Sequence, residues 1–194
     1  MVAQARTQLN RYVAAITGAS GMIYAREFLA YFASRPDLEL HALISKAGEQ
    51  VLHLELGLAP DRLAPGAIWH RVDDFTGPLA SGSFRARAMV IIPCSMGSLG
   101  AIAQGAGRNL IHRAAEVFLK ERRPLLLAVR ETPLSLIHLK NLVRVAEAGA
   151  TVMPACPGFY HRPNTLEELA RQFVGRILDQ LGLEHELGPR WGEK

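Results

Sequence analysis

The chain contains 194 residues, of which 49% are hydrophobic, and it carries a formal net charge of +4. This length supports one substantial core, so we expect a single domain over residues 1–194. The longest apolar runs are too short to span a membrane, and the first residues lack the apolar core of a secretory signal. We therefore expect a soluble, cytoplasmic protein.

Strand and helix patterns alternate along the chain. The pattern predicts a strand at residues 12–17, a helix at 23–33, a strand at 38–44, a helix through Val51 to Leu56 and a short strand at 68–69. It then predicts a strand at 88–92, a helical region as far as Glu121, a strand at 125–129, a helix at 134–148, a strand at 151–154 and a helix at 166–181. Asn164 with Glu167 is typical of a capping box at the start of the last helix.

This alternation predicts an α/β fold. We expect a Rossmann-like, doubly wound parallel sheet with helices on both faces, because parallel strands are joined by right-handed crossovers. Open sheets of this kind bind ligands at the carboxyl ends of their strands. Residues 1–10 precede the first predicted strand, and we expect them to form a flexible lead.

The basic residues and the cysteines limit which kinds of ligand the protein is expected to bind. The basic residues are scattered, without a stripe interleaved with aromatic side chains, which argues against nucleic-acid binding. Of the 22 basic residues, only Lys46, Lys120, Lys140 and Lys194 are lysines. Arginine binds phosphate oxygens through a planar fork, so we expect a small anionic ligand. Neither a disulfide framework nor a metal site is indicated by the spacing of cysteines and acidic residues.

Two turns rich in small residues follow predicted strands. Residues 17–21, TGASG, join the first strand to the first helix, where backbone amides and the helix dipole can face a phosphate or hydroxyl. Such a short glycine turn also serves tight packing alone, so it is weak evidence for a ligand. Residues 93–100, PCSMGSLG, allow close approach of a flat ligand, and the two loops together predict a mononucleotide site. We expect Cys94 to be a small buried hydrophobe.

The segment 113–131, RAAEVFLKERRPLLLAVRE, concentrates charge around one strand. Arg113 and Lys120 lie seven residues apart on a predicted helix and share a face. Arg130 and Glu131 follow the strand at its carboxyl end, where such sheets bind ligands. The cations of this cluster suit a phosphate group, and the carboxylate suits the transfer of a proton to or from it. The alternative is a solvated face with ion pairs within the helix and a salt bridge from Glu131 to Arg130 or Lys120.

Seven segments together resemble the UbiX family of flavin prenyltransferases. They are ITGASGMIYA, LISKAGEQVLHLE, ASGSF, MVIIPCSMGSLGAIAQGA, LIHRAAEVFLKERRPLLLAVRETPLSLIHLKNL, GATVMPACPGFYHRP and PRWG. The resemblance implies a flavodoxin-like homo-oligomer, typically a dodecamer, that joins a dimethylallyl group from dimethylallyl phosphate to reduced FMN at N5 and C6. The product is prenylated FMN, which UbiD-type decarboxylases use.

The resemblance also implies two sets of site residues. The flavin is held by Gly18, Ala19, Ser20, Ser45, Ser95, Met96, Gly97, Ser98 and Arg130. The prenyl phosphate meets Arg113, Lys120, Arg130, Glu131, Tyr160 and Arg176, of which Tyr160 and Arg176 reach in from a neighbouring subunit. Ser20 and Glu131 manage a proton on the phosphate, and Glu55 assists proton removal during ring closure. Trp191 belongs to a tail, residues 182–194, that closes over the site or a neighbouring subunit.

The chain departs from the family pattern at the flavin loop and in the segment after Glu55. Many relatives have lysine and threonine where this chain has Gly97 and Ser98, which changes side chains but leaves the backbone amides. The segment between Glu55 and the ASGS motif is short, so Asp74 and Ser81 are the weakest site candidates. Three histidines are expected to be structural: His112, His138 and His161.

Two other functions remain open from the residues. An FMN-dependent cysteine decarboxylase shares the sheet, but its PASAN-like motif is replaced by ASGS in this chain. A non-enzymatic flavin carrier needs the two glycine loops but gains nothing from a second cluster of cations.

Overall fold

The computed structural model describes residues 10–192, which form a six-stranded sheet and seven α-helices. The strands are β1 (Asn10–Ile16), β2 (Leu38–Ile44), β3 (Ile68–His70), β4 (Ala88–Cys94), β5 (Leu125–Val129) and β6 (Thr151–Pro154). The helices are α1 (Met22–Ala33), α2 (Lys46–Leu56), α3 (Pro60–Leu63), α4 (Met96–Ala103), α5 (Leu110–Lys120), α6 (Leu136–Glu147) and α7 (Leu166–Leu181). The expected lead lies outside the described residues except for Asn10, which is the first residue of β1.

The sheet is parallel throughout, with the strand order β3-β2-β1-β4-β5-β6. This confirms the doubly wound architecture predicted from the alternating pattern. The order reverses between β1 and β4, because β2 and β3 extend the sheet on one side of β1 and β5 and β6 extend it on the other. Without the three-residue strand β3, the order is that of flavodoxin-like folds. The reversal leaves a crevice at the carboxyl ends of β1 and β4.

Alternate residues of the central strands enter two separate hydrophobic cores, as the two-residue period of a strand requires. One face of the sheet packs against α1, α2 and α7, with Phe28 at its centre. The opposite face packs against α4, α5 and α6, around Leu99 and Phe118. Each strand of the centre is therefore covered on both sides, which explains its continuous apolar run. Within residues 10–192, no helix has the length and apolar character needed to cross a membrane.

Two local predictions need correction. The helical region predicted up to Glu121 consists of α4 and α5, because the chain reverses at Gly105, which has a φ of 62°. The predicted capping box of α7 is shifted by one residue. Thr165 is the N-cap and accepts the Glu168 backbone N–H at 3.1 Å, whereas the Asn164 backbone N–H donates to the Glu168 carboxylate at 2.6 Å.

We predict that replacing Phe28 by Ala destabilises the fold by about 3–5 kcal/mol, because a fully buried ring leaves a cavity. Phe75 is half exposed and supplies the matched control, for which Phe75→Ala changes stability by about 0.5 kcal/mol or less. Urea denaturation followed by circular dichroism measures both variants. Equal denaturation midpoints for the two variants would contradict the assigned core.

Candidate active site

A buried threonine joins the two loops that border the crevice. The Thr17 hydroxyl donates to the Pro93 carbonyl at 2.8 Å and accepts the Ser95 backbone N–H at 2.8 Å. Thr17 is only 1% exposed, so these bonds are shielded from water. They fix the spacing between the β1–α1 turn and the start of α4. Thr17 was not among the expected site residues, and its position at the end of a strand before a glycine turn was the available signal.

The crevice contains a cleft of about 540 Å³, a size suited to a small organic ligand. Five residues of the expected flavin set line it: Gly18, Ser45, Ser95, Gly97 and Ser98. The further lining residues lie outside that set, and those with polar or charged side chains are Gln104, Arg108, Asn109 and His112. The structure therefore brings together the two predicted loops and adds the segment between α4 and α5.

Of the helices that begin at this cleft, α5 is capped by Asn109, and α2 and α4 are capped by serines. Ser45 caps α2 by accepting the Gly48 N–H at 3.0 Å, and Ser95 caps α4 by accepting the Ser98 N–H at 3.4 Å. The positive ends of both helix dipoles thus face the cleft, which suits an anionic ligand such as the phosphate of a mononucleotide.

The backbone around the cleft also fits a flat ligand. A Cβ atom added to Gly18 would lie 2.5 Å from the Ala47 Cβ, so the turn can pack against α2 only with glycine there. A Cβ at Gly97 would meet nothing within 4 Å, so the space above that residue is open. The donor set, the open space and the close backbone approach together fit FMN.

Glu55 occupies the start of α1. Its carboxylate accepts the Gly21 N–H at 3.0 and 3.1 Å and the Met22 N–H at 2.8 Å. These donors are therefore unavailable to a ligand phosphate, in contrast to the expectation that the α1 dipole faces one. The ligand-facing helix starts are those of α2 and α4.

Hydrogen bonding keeps Glu55 ionised. Burial by itself raises the pKa of the Glu55 carboxyl group, but a hydrogen bond from the Ser20 side chain and those from the α1 backbone outweigh it. The charge of Arg130 adds to this effect, and the pKa of Glu55 lies below its usual value. Glu55 thus holds Ser20, and Arg130 lies close enough to act on the Glu55 charge.

Arg130 and Glu131 follow β5 as expected. The Arg130 backbone N–H donates to the Cys94 carbonyl at 3.2 Å, which ties the end of β5 to the end of β4. The exposed Glu131 carboxylate accepts the Thr132 backbone N–H at 3.0 Å. Within the described residues, no salt bridge joins Glu131 to Arg130 or to Lys120.

Arg113 and Lys120 lie elsewhere in the protomer. Arg113 donates from Nε to the Ala80 carbonyl at 3.1 Å, and the Lys120 ammonium contacts the Glu121 carboxylate. Lys120 ends α5 just before β5 begins, whereas Arg130 follows the other end of β5. A strand of five residues spans roughly 16 Å, so one protomer does not bring Lys120 to Arg130.

Tyr160, Arg176 and Trp191 form a third group, around a pocket of about 400 Å³ between α7 and the tail. The Trp191 ring stands edge-to-face on the Tyr160 ring, with centroids 5.0 Å apart. Gln172 donates to the Tyr160 hydroxyl at 3.2 Å. This group contains two of the expected phosphate-site residues, Tyr160 and Arg176, together with Trp191 of the expected tail.

Asp179 connects this third group to the tail. Its carboxylate contacts Arg176 at 2.6 Å, Arg190 at 2.8 Å and His185 at 3.2 Å. Burial raises the pKa of Asp179, but the His185 hydrogen bond and the neighbouring cations outweigh it and lower that pKa below its usual value. The ionised carboxylate thus links α7 to the last described residues.

The remaining candidates occupy local roles. Cys94 is fully buried and burial raises its pKa to about 12, so it has no thiolate to react near neutral pH. Asp74 accepts from Thr76, and Ser81 contacts the Ser83 hydroxyl, both within a loop that does not line the cleft.

The three histidines expected to be structural differ from one another. His138 completes the capping box of α6 with Ser135. His161 was expected to be a satisfied polar residue, but both of its ring nitrogens are buried and lack a partner in the described part of the chain. Its ring lies against the Tyr160 ring, which offers no hydrogen-bond acceptor from its edge. His112 lines the cleft.

Comparisons with known proteins identify the class. A family model described as Flavoprotein matches residues 3–174. The flavin prenyltransferase UbiX of Halalkalibacterium halodurans is 45% identical over 194 aligned residues, which cover 94% of each chain. This chain is therefore a flavoprotein.

Solved structures agree at the level of the fold. AnUbiX (PadA1), crystallised with FMN and dimethylallyl pyrophosphate, has a TM-score of 0.91 and 40% identity, and the match covers 96% of this chain and 100% of that chain. A dodecameric FMN-dependent Ubix-like decarboxylase from Escherichia coli O157:H7 has a TM-score of 0.90 and 36% identity, with 94% of this chain and 100% of that chain covered. The chain belongs to the UbiX family of flavin prenyltransferases.

We predict that Glu55→Gln destabilises the fold by about 1 kcal/mol at neutral pH, because it weakens the hydrogen bonds that the carboxylate accepts from the start of α1. The loss is no larger because Glu55 is exposed and water screens its charge. The pKa of Glu55 is lower in the folded protein than the value of 4.5 that it has in the unfolded chain. The stabilisation is therefore complete above pH 4.5 and is lost as the pH falls through the pKa of the folded state. Urea midpoints measured at several pH values should therefore converge for variant and wild type in acid.

Glu147→Gln, at the exposed end of α6, is the matched control and should show no loss at neutral pH. A difference between Glu55→Gln and wild type that persists unchanged in acid would contradict the capping role of the carboxylate.

Proposed function

We propose that this chain is a flavin prenyltransferase that joins a dimethylallyl group from dimethylallyl phosphate to reduced FMN at N5 and C6. The product, prenylated FMN, then serves a UbiD-type decarboxylase. The observation that carries this proposal is the cleft at the reversal of strand order, whose two helix starts and open glycine loop suit FMN, in a chain 45% identical to a UbiX enzyme. We also place the enzyme in the cytoplasm, a reducing compartment that suits its two unpaired cysteines.

The flavin is bound mainly by backbone groups and short hydroxyl side chains. The residues assigned to it are Gly18, Ala19, Ser20, Ser45, Ser95, Met96, Gly97, Ser98 and Arg130. The Met96 side chain is buried in the core, so its contribution to binding comes from its backbone at the start of α4. Ser45 and Ser95 hold the first turns of their helices in place, which keeps the amides aimed at the ligand without reorganisation.

The cations stabilise the leaving phosphate. When the allylic C–O bond breaks, its electron pair goes to the phosphate oxygen, and the phosphate gains negative charge. Preorganised cations aimed at that charge lower the barrier. The residues assigned to this role are Arg113, Lys120, Arg130 and Arg176, with Tyr160 as a hydroxyl donor.

Two carboxylates have different tasks. Glu131 is exposed and, together with Ser20, transfers a proton to or from the phosphate, which requires a carboxyl group within hydrogen-bond reach. Glu55 accepts the proton released at ring closure. Its lowered pKa keeps the carboxyl group ionised throughout the neutral range.

The phosphate site is completed between copies of the chain in a homododecamer. Lys120 and Arg130 lie near opposite ends of β5 in one protomer, so a shared phosphate needs residues from more than one copy. A surface for such contact is available on α6, where Leu136, Ile137 and Val143 are each more than half exposed. Exposed apolar faces of this kind are typical of subunit interfaces.

The tail, residues 182–194, closes over the site. Asp179 attracts Arg190 and His185 of the tail and Arg176 of α7, so the same carboxylate positions a phosphate-site cation and the closing segment. Trp191 is 80% exposed and rests on Tyr160, which leaves its other face available to a ligand or a neighbouring subunit.

We predict that the protein, incubated anaerobically with reduced FMN and dimethylallyl phosphate, increases the mass of the flavin by one prenyl unit. Glu131→Gln should slow this reaction by roughly 100-fold or more, because a general acid–base group is lost, while FMN binding and circular dichroism stay unchanged. Mass spectrometry of the extracted flavin measures both.

The matched control is Glu147→Gln, which should retain full turnover. Unmodified flavin with the wild-type protein would contradict the transferase function and leave a flavin carrier. Loss of carbon dioxide from a cysteine-terminated peptide, without flavin modification, would favour a cysteine decarboxylase instead.

We predict that Asp179→Asn raises the KM for dimethylallyl phosphate roughly tenfold and changes kcat less, because Arg176 and the tail lose their shared anion. The tail should also be cleaved faster in limited proteolysis. Asp61→Asn, on the short helix α3, is the control with no expected effect. An unchanged KM together with an unchanged cleavage rate would exclude the linking role of Asp179.

A further inference from the structure

His112 lies in the first turn of α5 and contacts two of the segments that line the cleft. Its Nδ1 atom accepts the Arg108 backbone N–H at 3.3 Å, and its Nε2 atom lies 3.3 Å from the Ser98 hydroxyl oxygen. The residue is only 6% exposed. One ring therefore joins the segment before α5 to the first turn of α4.

These contacts fix the tautomer of the ring. Because Nδ1 accepts the Arg108 N–H, that nitrogen carries no proton, and the proton of the neutral ring resides on Nε2. Burial, and then the charge of Arg108, lower the pKa of His112, which keeps the ring neutral near pH 7. The Nε2–H group therefore donates to the Ser98 hydroxyl oxygen.

The bonding capacity of Ser98 then determines what its hydroxyl can do. A serine hydroxyl has two lone pairs to accept with and one hydrogen to donate. His112 uses one lone pair, and the Ser95 hydroxyl, 3.4 Å away, donates to the other. The Ser98 hydrogen remains for a further acceptor, and Ser98 lines the cleft.

We propose that His112 is a positioning residue for flavin binding, which presents the Ser98 hydroxyl as a hydrogen-bond donor to an acceptor atom of FMN. The same ring holds the Arg108 backbone, and Arg108 is the one permanently charged residue among the described residues that line the cleft. The inference rests on the proposed function, since it specifies how the flavin cleft of that enzyme is organised before the ligand arrives.

Two replacements of His112 separate this role from simple packing. Gln places an amide N–H near the position of Nε2 and retains donation to Ser98. Asn places an acceptor near the position of Nδ1, and so retains the Arg108 bond, but it is too short to reach Ser98. If the His112 ring only fills space, the Gln and Asn variants should differ in protein stability but should bind FMN equally well.

The experiment titrates FMN against each variant by flavin fluorescence and records the melting temperature alongside. We expect His112→Asn to raise the Kd for FMN about five- to tenfold and His112→Gln to stay within about threefold of wild type. Ser98→Ala should match His112→Asn, and the double variant should bind no more weakly than Ser98→Ala alone, since both remove the same hydrogen bond.

A wild-type Kd for His112→Asn, or additive losses in the double variant, would overturn the proposal. Should His112→Asn fail to fold, Ser98→Ala and Ser98→Thr carry the test, because only Thr keeps the hydroxyl. Equal Kd values for these two variants would also overturn it. Flavin prenylation by the wild-type protein is judged separately by mass, so failure of this inference leaves the proposed function standing.

Discussion

The active-site architecture depends on the hydrogen bonds of one buried hydroxyl group at the reversal of strand order. Thr17 bonds to Pro93 and Ser95, and so sets the distance between the loops that follow β1 and β4. A reversal of strand order opens a crevice in any doubly wound sheet. Contacts between the two sides of the crevice fix its width. Thr17 supplies two such hydrogen bonds, and both are shielded from water. The close approach of Gly18 to Ala47 limits the same space from the side of α2.

The N-termini of the helices around this crevice differ in what their backbone N–H groups bind. Glu55 satisfies the backbone donors of α1 with a carboxylate from the protein itself, whereas α2 and α4 begin at serines that leave their first turns facing the cleft. A ligand phosphate is thereby directed towards α2 and α4. The cations expected at the phosphate are also distributed over different elements of one protomer. Arg113 and Lys120 lie on α5, Arg130 follows β5 and Arg176 lies on α7. Their separation keeps these like charges apart within one protomer.

Sequence patterns predicted the elements well where a continuous period ran between strong breaks. The bounds of β2, β5, β6 and α7 agree with the prediction because apolar runs there end at proline, glycine or polar residues. The division of α4 from α5 was missed, since both segments are helical and only residues 104–109, with Gly105 at a positive φ, separate them. The contacts of Thr17, His112 and Asp179 could not be predicted, because each joins residues that are brought together only by the packed fold. His161 shows the same limit, as its unpartnered nitrogens become evident only when its neighbours are known.

The central claim is that phosphate-handling residues from different copies complete one site, and mixed oligomers test it most directly. Lys120→Ala and Arg130→Ala protomers, each inactive alone, are unfolded together, refolded and assayed for flavin prenylation. If Lys120 and Arg130 act on one phosphate from different subunits, random mixing restores about a quarter of wild-type activity, because that fraction of sites receives both intact residues. If each protomer supplied both residues to its own site, every site would lack one of them. Mixed oligomers as inactive as either parent, although properly assembled, would contradict the account.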